Sequence, residues 1–456
     1  MTDDQNQDPQ LGGATDLYVF GYALIMMELT RRLQTNTVQV NATQAPVNQF
    51  CQHTSLPTPE MKDVVRPNLD TLYSQAWLDL SAEPIVLEVP VMDEGRYWLM
   101  QLLDAWSNTS EQSPSSITPL TAPAIDPAQD VQVYTYALTG PDWKGELPDG
   151  VQQLPFPTNT VWLIGRIELH DDSEQEVQTV VGYQDQMRLL PLSAWPDSGS
   201  YLPPAGVYDP DASTAPPSEA ITQYSGPEFF HELAALLERT PLDPPDDRTS
   251  ALLADLGVHP YDEDRLPDAA TLDLAKAAGL DAIEHHQGPP PVNGWAFPTT
   301  DIGTYGTNYL QRAYVAMTGL GANLPQDALY PSTGNAATDP GGAPIAYTLT
   351  FPAGQLPPVD AFWSLTAYDS ASFLVANPED IYAIGHFAAP LADPDTGATT
   401  LYVQAAAPAD PELRTANWLP IPTSGTFSVT LRLYAPVTAD LLPDWPPALT
   451  PVAPQD

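Results

Sequence analysis

Two stretches decide the fold of this chain: N-L-D-T-L-Y (Asn68 to Tyr73) and N-L-P-Q-D-A-L-Y (Asn323 to Tyr330). After the first comes a strand-like run ending I-V-L-E-V-P at Pro90, a short polar loop, and R-Y-W-L-M-Q-L-L-D-A-W-S (Arg96 to Ser107). After the second comes Y-T-L-T-F-P ending at Pro352, a loop, and A-F-W-S-L-T-A-Y-D-S (Ala361 to Ser370). The same order at similar spacing predicts two copies of one β unit. The repeat widens on both sides. A helix-length apolar window precedes each motif, and each half later carries a strand with an embedded arginine, W-L-I-G-R (Arg166) and V-T-L-R (Arg432).

Working outward, residues 1–13 read as a mobile leader, and 14–195 as a helix followed by a β-sandwich. Short apolar runs there are broken by Pro, Gly and Asp. Residues 196–221 are rich in Pro, Ser and Ala and read as a linker. Residues 222–290 switch to a helical period, as in P-E-F-F-H-E-L-A-A-L-L-E-R (Pro227 to Arg239). Residues 291–456 return to a helix and a second sandwich. The expected class is multi-domain α+β, mainly β.

Composition narrows the function. At 456 residues, 43% hydrophobic, the chain is long enough for two or three domains with substantial cores. Against 58 acidic residues stand 15 basic ones, a formal net charge of −43, and only Lys62, Lys144 and Lys276 are lysine. The acidic residues are dispersed rather than gathered in a tail. That surface resembles those of proteins from salt-accumulating cells, where counterions screen self-repulsion. Nucleic acid and anionic membranes call for clustered Lys and Arg, which the sequence lacks, so neither partner is expected. The longest apolar stretch, Leu17 to Met27, is too short to span a bilayer. An acidic leader without a small-residue cleavage site argues against a secretory signal, so a cytoplasmic location is expected. Cys51 stands alone, which excludes an internal disulfide.

At these residues the chain resembles the tandem family pairing domain of unknown function 1254 with domain of unknown function 1214. D-V-V-R-P-N-L-D-T-L-Y-S-Q-A-W-L-D-L (Asp63 to Leu80), G-R-Y-W-L-M-Q-L-L-D-A-W-S-N and T-N-T-V-W-L-I-G-R are similar to the first domain. L-P-P-V-D-A-F-W-S-L-T-A-Y-D, F-L-V-A-N-P-E-D-I-Y-A-I-G and A-N-W-L-P-I-P are similar to the second. The resemblance implies an immunoglobulin-like sandwich, a helical insert and a C-terminal jelly-roll-like sandwich. It implies no settled activity. Because family members resemble oligomer-forming proteins, a homo-oligomer is expected.

Candidate chemistry is sparse. The seven histidines form no recognised ligand spacing, and Glu284-His285-His286 points its imidazoles about 100° apart on a helix, so no metal site is assigned. A carboxylate-bound divalent cation stays open, although no D-x-D-x-D-G loop occurs. Neither a nucleophile elbow nor a phosphate cradle is present, and no cofactor is expected. What remains are polar and aromatic residues set in or beside apolar strands. Asp70, Arg66, Tyr73 and Asp369 are the candidate catalytic groups, acting as acid, base and anion clamp. Asp70 with Asp369 would form a carboxylate pair for glycosidic or ester hydrolysis. Asn68, Trp106, Trp363, Tyr368 and Trp418 are the candidate substrate-binding walls of an interdomain cleft. The plain alternative is structural: Asn and Asp cap turns, tyrosines satisfy carbonyls, and Arg66 pairs with Asp70. Two functions follow: a cofactor-free hydrolase or lyase acting on a small molecule or glycan, or a non-catalytic carbohydrate-binding or assembly module.

The charge imbalance predicts that the melting temperature climbs steeply between dilute buffer and molar salt. A melting temperature flat across that range would refute the reading of the surface as salt-adapted.

Overall fold

The computed structural model describes residues 9–62, 65–126, 130–195, 201–242, 246–438, 441 and 444–452. Of the expected leader, residues 9–13 already belong to the first helix, and 1–8 lie outside the described residues. Of the expected linker, 196–200 lie outside them too.

The helices are α1 (Pro9–Thr35), α2 (Glu174–Gln184), α3 (Pro217–Gln223), α4 (Gly226–Leu237), α5 (Asp247–Asp255), α6 (Ala269–Glu284), α7 (Tyr309–Gly319) and α8 (Pro411–Ala416). The N-terminal strands are β1 (Cys51–Gln52), β2 (Thr71–Asp79), β3 (Ile85–Pro90), β4 (Trp98–Asp104), β5 (Ala124–Asp126), β6 (Val131–Thr139), β7 (Gln152–Pro155), β8 (Thr160–Glu168) and β9 (Arg188–Pro191). The C-terminal ones are β10 (Ala328–Leu329), β11 (Ser332–Ala336), β12 (Tyr347–Phe351), β13 (Trp363–Asp369), β14 (Ala383–Ile384), β15 (Thr399–Val403), β16 (Trp418–Leu419), β17 (Thr426–Tyr434) and β18 (Thr450–Pro451). Helix and strand content are about equal. The expectation of a mainly β chain is thereby corrected, because α1 is long and the helical insert brings further helices.

Each half stacks two sheets on a core. In the first, order β1-β2-β8-β4 faces order β5-β6-β3-β9, and Leu72, Met100 and Leu163 meet Leu87, Tyr136 and Leu138 between them. In the second, β10-β17-β13-β14 faces β16-β15-β12-β18, and Leu365 and Leu431 meet Leu349 and Leu401. Alternation along each strand aims every second residue at these cores.

The two halves share one register. Tyr73 of β2 lies across from Arg166 of β8, and Trp98 of β4 lies across from Ile167, one residue on. β10 and β11 keep a common register against β17, which sets Tyr330 across from Arg432; Trp363 lies across from Leu433, again one residue on. The edges agree as well, Cys51 against Gln75 in one half and Ala296 against Ser332 in the other. Asp70 and Asp327 both accept from the residue three beyond the embedded arginine, Leu169 N–H and Ala435 N–H, each at 2.9 Å.

The helices depart from expectation in one respect. α1 and α7 do not each serve their own sandwich: both join α3, α4, α5 and α6 in one helical core. α1 is buried continuously from Phe20 to Glu28, which explains an apolar run without an amphipathic stripe. No helix among the described residues is long and apolar enough to cross a membrane. α4 begins with a capping box, Ser225 and Glu228 exchanging bonds with each other's backbone N–H. Glu28, buried at the end of α1, gathers Arg31, Arg32 and Arg239; their combined pull outweighs its desolvation and holds its carboxyl down at about 2.

α6 approaches α1 closely where Gly279 meets Tyr18. A Cβ at that position would lie 2.4 Å from Tyr18 Cδ1, whereas one at Gly12 on α1 would meet nothing within 4 Å. Gly279→Ala is therefore expected to lower unfolding free energy by about 1–3 kcal/mol. Gly12→Ala should leave it unchanged or raise it by less than about 1 kcal/mol. Equal effects of the two in denaturant titrations would contradict this packing.

Candidate functional site: a cavity between the two sandwiches

The site is built by the faces of β2, β8 and β17 that turn away from the sandwich cores. On β2, Leu72, Ala76 and Leu78 enter the core, so Tyr73, Gln75 and Trp77 point outward. On β8 the outward set is Trp162, Ile164 and Arg166. At one end of this face Trp77 stacks on Trp162 at 4.9 Å beneath Met27 of α1. At the other end the face is polar and open. On β17, Leu431 and Leu433 are core residues, so Thr430 and Arg432 face the first half.

Between these faces lies a cavity of about 710 Å³, within the range of roughly 300–1,000 Å³ usual for small-molecule sites. Arg66, Arg166 and Arg432 line it, with Asn68, Tyr73, Asn323, Tyr330, His53 and Gln75. Ile164, Leu320 and Met61 supply apolar wall. Among the described residues no Asp or Glu lines it, although the chain carries 58 of them.

Arg166 and Arg432 are buried, and among the described residues neither makes a salt bridge. Arg166 donates to Tyr330 Oη at 2.9 Å and to Gln101 Oε1 at 2.8 Å, and its guanidinium lies 5.5 Å from the Tyr73 ring. Its Nε and Asn323 Oδ1 are buried with no hydrogen-bond partner among the described residues. Arg432 donates to Thr366 Oγ1 at 2.8 Å, to the carbonyls of Arg66 and Pro67, and to Tyr368 Oη. Arg66 is exposed at the rim, in a left-handed backbone conformation (φ 51°), and donates to Ser332 Oγ and Thr430 Oγ1 of the second half. Burial pushes the Tyr330 and Tyr434 hydroxyls up, so both stay protonated. Burial lowers His53, which keeps its imidazole neutral.

The residues singled out from sequence divide sharply. Arg66, Asn68 and Tyr73 line the cavity. Asp70 does not: it is 1% exposed and accepts from Ser364 Oγ at 2.6 Å and Tyr434 Oη at 3.2 Å. Arg66 and Asp70 form no ion pair, since Arg66 turns to the hydroxyls of Ser332 and Thr430 instead. Asp369 caps its own turn, accepting from Ala371 and Phe373 N–H, and borders a separate small recess, so it shares no cavity with Asp70. Tyr368 is buried, donating to Pro67 O at 2.9 Å. Trp106 packs in the helical core and donates to Pro241 O. Trp363 faces the core of the second sandwich, and Trp418 is buried, donating to Gln404 O. None of these four aromatic residues lines the cavity; all are buried away from it.

Sequence reasoning left Arg166, Arg432 and His53 without a role at the site. A signal existed for the arginines: a cation in the middle of an apolar strand is costly to bury unless something uses it. For His53, in a loop beside a two-residue strand, there was none. Among the described residues no group of three or more His, Cys, Asp or Glu is placed to hold a metal ion.

The seam beside the cavity carries a second set of buried groups. Glu168 accepts from Tyr97 N–H at 2.6 Å, and His386 lies 2.7 Å from Leu169 O and 3.4 Å from Glu168, its ring stacked on Phe362 at 3.8 Å. Burial holds the Glu168 carboxyl up at about 7.

The chain belongs to the family that pairs two domains, each described as a protein of unknown function: DUF1254 matches residues 47–191 and DUF1214 matches 327–438, together more than half of the sequence. None of the curated proteins matches it. It is similar in structure to the VPA0106 protein of Vibrio parahaemolyticus, with a TM-score of 0.67 at 22% identity over 97% of this chain and 100% of that one. That likeness shows the fold alone. An uncharacterised protein of Burkholderia cenocepacia matches at a TM-score of 0.41 and 14% identity, over 95% of this chain and 86% of that one.

Glu168 makes a prediction about pH. The folded protein keeps a proton there that the unfolded chain releases near the ordinary carboxylate value of about 4.3. Its contribution therefore becomes increasingly destabilising as pH rises from about 5 to above 7. Asp327, held up at about 6 by burial despite Arg166, acts in the same direction but is unchanged by mutation at 168. Glu168→Gln should lose less melting temperature than the parent between pH 5 and pH 8. Parallel curves would exclude this role.

Proposed function

We propose that this family member holds a small organic anion in the cavity between its sandwiches and acts on it there as a cofactor-free lyase or hydrolase. One observation carries the reading: among the described residues three arginines and no carboxylate line a cavity in a chain of net charge −43. Random placement of charge would give the opposite lining. A buried guanidinium without a carboxylate partner is unfavourable by itself and is relieved by an anionic ligand. Arginine also presents paired donors that match a carboxylate. The acidic exterior repels anions at long range, so a local positive well supports selection inside the cavity rather than steering toward it.

The wall residues favour lyase chemistry over hydrolysis by a carboxylate pair. Proton-transfer groups are present in His53, Tyr73 and Tyr330, whereas among the described residues no carboxylate lines the cavity to form the pair such hydrolysis needs. A non-catalytic carbohydrate-binding or assembly role is less well supported, because Trp106, Trp363 and Trp418 are buried rather than spread as a platform. We further read both sandwiches as versions of one unit, because their registers coincide, rather than as an immunoglobulin-like and a jelly-roll-like domain of separate kinds.

Thermal shift and calorimetry at fixed salt test the binding, using benzoate and galacturonate against benzyl alcohol and galactose. The anions should raise the melting temperature and their neutral counterparts should not. Arg66→Gln, at an exposed position, should weaken anion binding about 10-fold, or about 1.4 kcal/mol. Equal responses to charged and neutral probes would sink the proposal.

A further inference from the structure

The shared register of the two halves exposes what differs between them. Antiparallel pairing aligns His53, Tyr73 and Arg166 in one row across β1, β2 and β8. Tyr73 lies directly opposite Arg166, and His53 N–H donates to Tyr73 O at 2.8 Å just beyond the Cys51–Gln75 pair. Such neighbours project from the same face at strand spacing, about 4.5–5.5 Å apart, and all three line the cavity. The equivalent row of the second half holds Tyr330 and Arg432. Continuing its edge pairing of Ala296 with Ser332 by two residues places Pro298 where the first half has His53. Tyrosine and arginine are thus common to both copies, and the imidazole is confined to one. A residue needed only to hold the shared frame would have no reason to differ in this way.

The surroundings of this row suit proton transfer. His53 is half-buried, its Nε2 lies 3.4 Å from Gln75 Nε2, and burial keeps the ring neutral, the state in which it accepts a proton. Tyr73 Oη accepts from Asn68 Nδ2 at 2.9 Å, which leaves its own proton to donate. Arg166 stands next in the row as a fixed cation. A base, an acid and a carboxylate anchor therefore follow one another across the sheet.

Resting on the anion reading above, we propose that the substrate is a carboxylate bearing a β-oxygen substituent, and that the cavity eliminates that substituent. His53 removes the proton from the carbon next to the carboxylate. The C–H electron pair becomes the carbon–carbon double bond, and the bond from the β-carbon to oxygen breaks. The departing oxygen keeps that bond's electrons and takes the proton of Tyr73. The products are an unsaturated carboxylate and water or an alcohol, with no change in overall oxidation state and no co-reactant. Solvent then reprotonates Tyr73 and deprotonates His53. Arginines carry the negative charge that develops on the carboxylate as its α-proton leaves.

The experiment follows malate, 3-hydroxybutanoate and galacturonate by proton NMR in D₂O with the full chain, alongside calorimetric binding. At least one probe that binds should exchange its α-proton and yield a vinylic signal. His53→Gln should slow both by about 100-fold or more while binding and melting temperature hold. Tyr73→Phe should retain exchange and lose the vinylic product. Probes that bind without exchange, or exchange unaffected by His53→Gln, would overturn the elimination and leave the anion site standing. Failure of all three acids to bind, with neutral analogues equally inert, would overturn both.

Discussion

The segment from Arg66 to Tyr73 is the constraint on which the rest depends. It leaves one sandwich, crosses the outer sheet face of the other, and returns as β2. Asp70 is its anchor, a buried carboxylate satisfied by hydroxyls of the opposite half, Ser364 and Tyr434. Asn68 adds bonds to Tyr434 and to Tyr73, one in each half, and the carbonyls of Arg66 and Pro67 receive Arg432. Buried polar groups of this kind are costly when unmet and rigid when met. The cavity keeps its shape because these bonds fix the distance between the two sheets that wall it.

One frame is used twice, with unequal contents. The cores of both sandwiches are filled by aliphatic and aromatic residues at matching places, which is what two stacked sheets require. The outward faces diverge. In the first half part of that face is covered by α1 through Met27, Trp77 and Trp162. In the second it is covered by the crossing segment through Ser364, Thr366 and Arg432. The same strand position thus holds arginine in both halves, yet Arg432 spends its donors on protein oxygens while Arg166 keeps an Nε that has no partner among the described residues.

Charge is sorted as strongly as polarity. Carboxylates crowd the exterior, and those that are buried have local reasons: Glu28 gathers three arginines, Asp70 has its hydroxyls, and Glu168 is held largely protonated at the acid side of neutrality. Three arginines that make no salt bridge among the described residues, Arg66, Arg166 and Arg432, line the cavity. In a low-dielectric pocket their field is far less screened than that of the surface charge, so a modest number of arginines sets the local potential against a large opposite excess.

The sequence by itself determined the repeated motif order, the change from β to helical period, the presence of an apolar first helix and the family, because these are written in local order and periodicity. It also picked out Arg66, Asn68 and Tyr73, polar residues that flank a strand and do line the cavity. It overstated the share of β structure and assigned α1 and α7 to separate sandwiches, since a periodic pattern reports that a face is covered but not by what. Asp70 and the tryptophans were misplaced for the same reason: a carboxylate in a motif reads alike whether its partner is a ligand or a serine 294 residues away. Only the tertiary structure decided which outward faces meet, brought Arg166, Arg432 and His53 to one cavity, and excluded every described carboxylate from its wall, because those relations join strands distant in sequence and are fixed by packing rather than by any local preference.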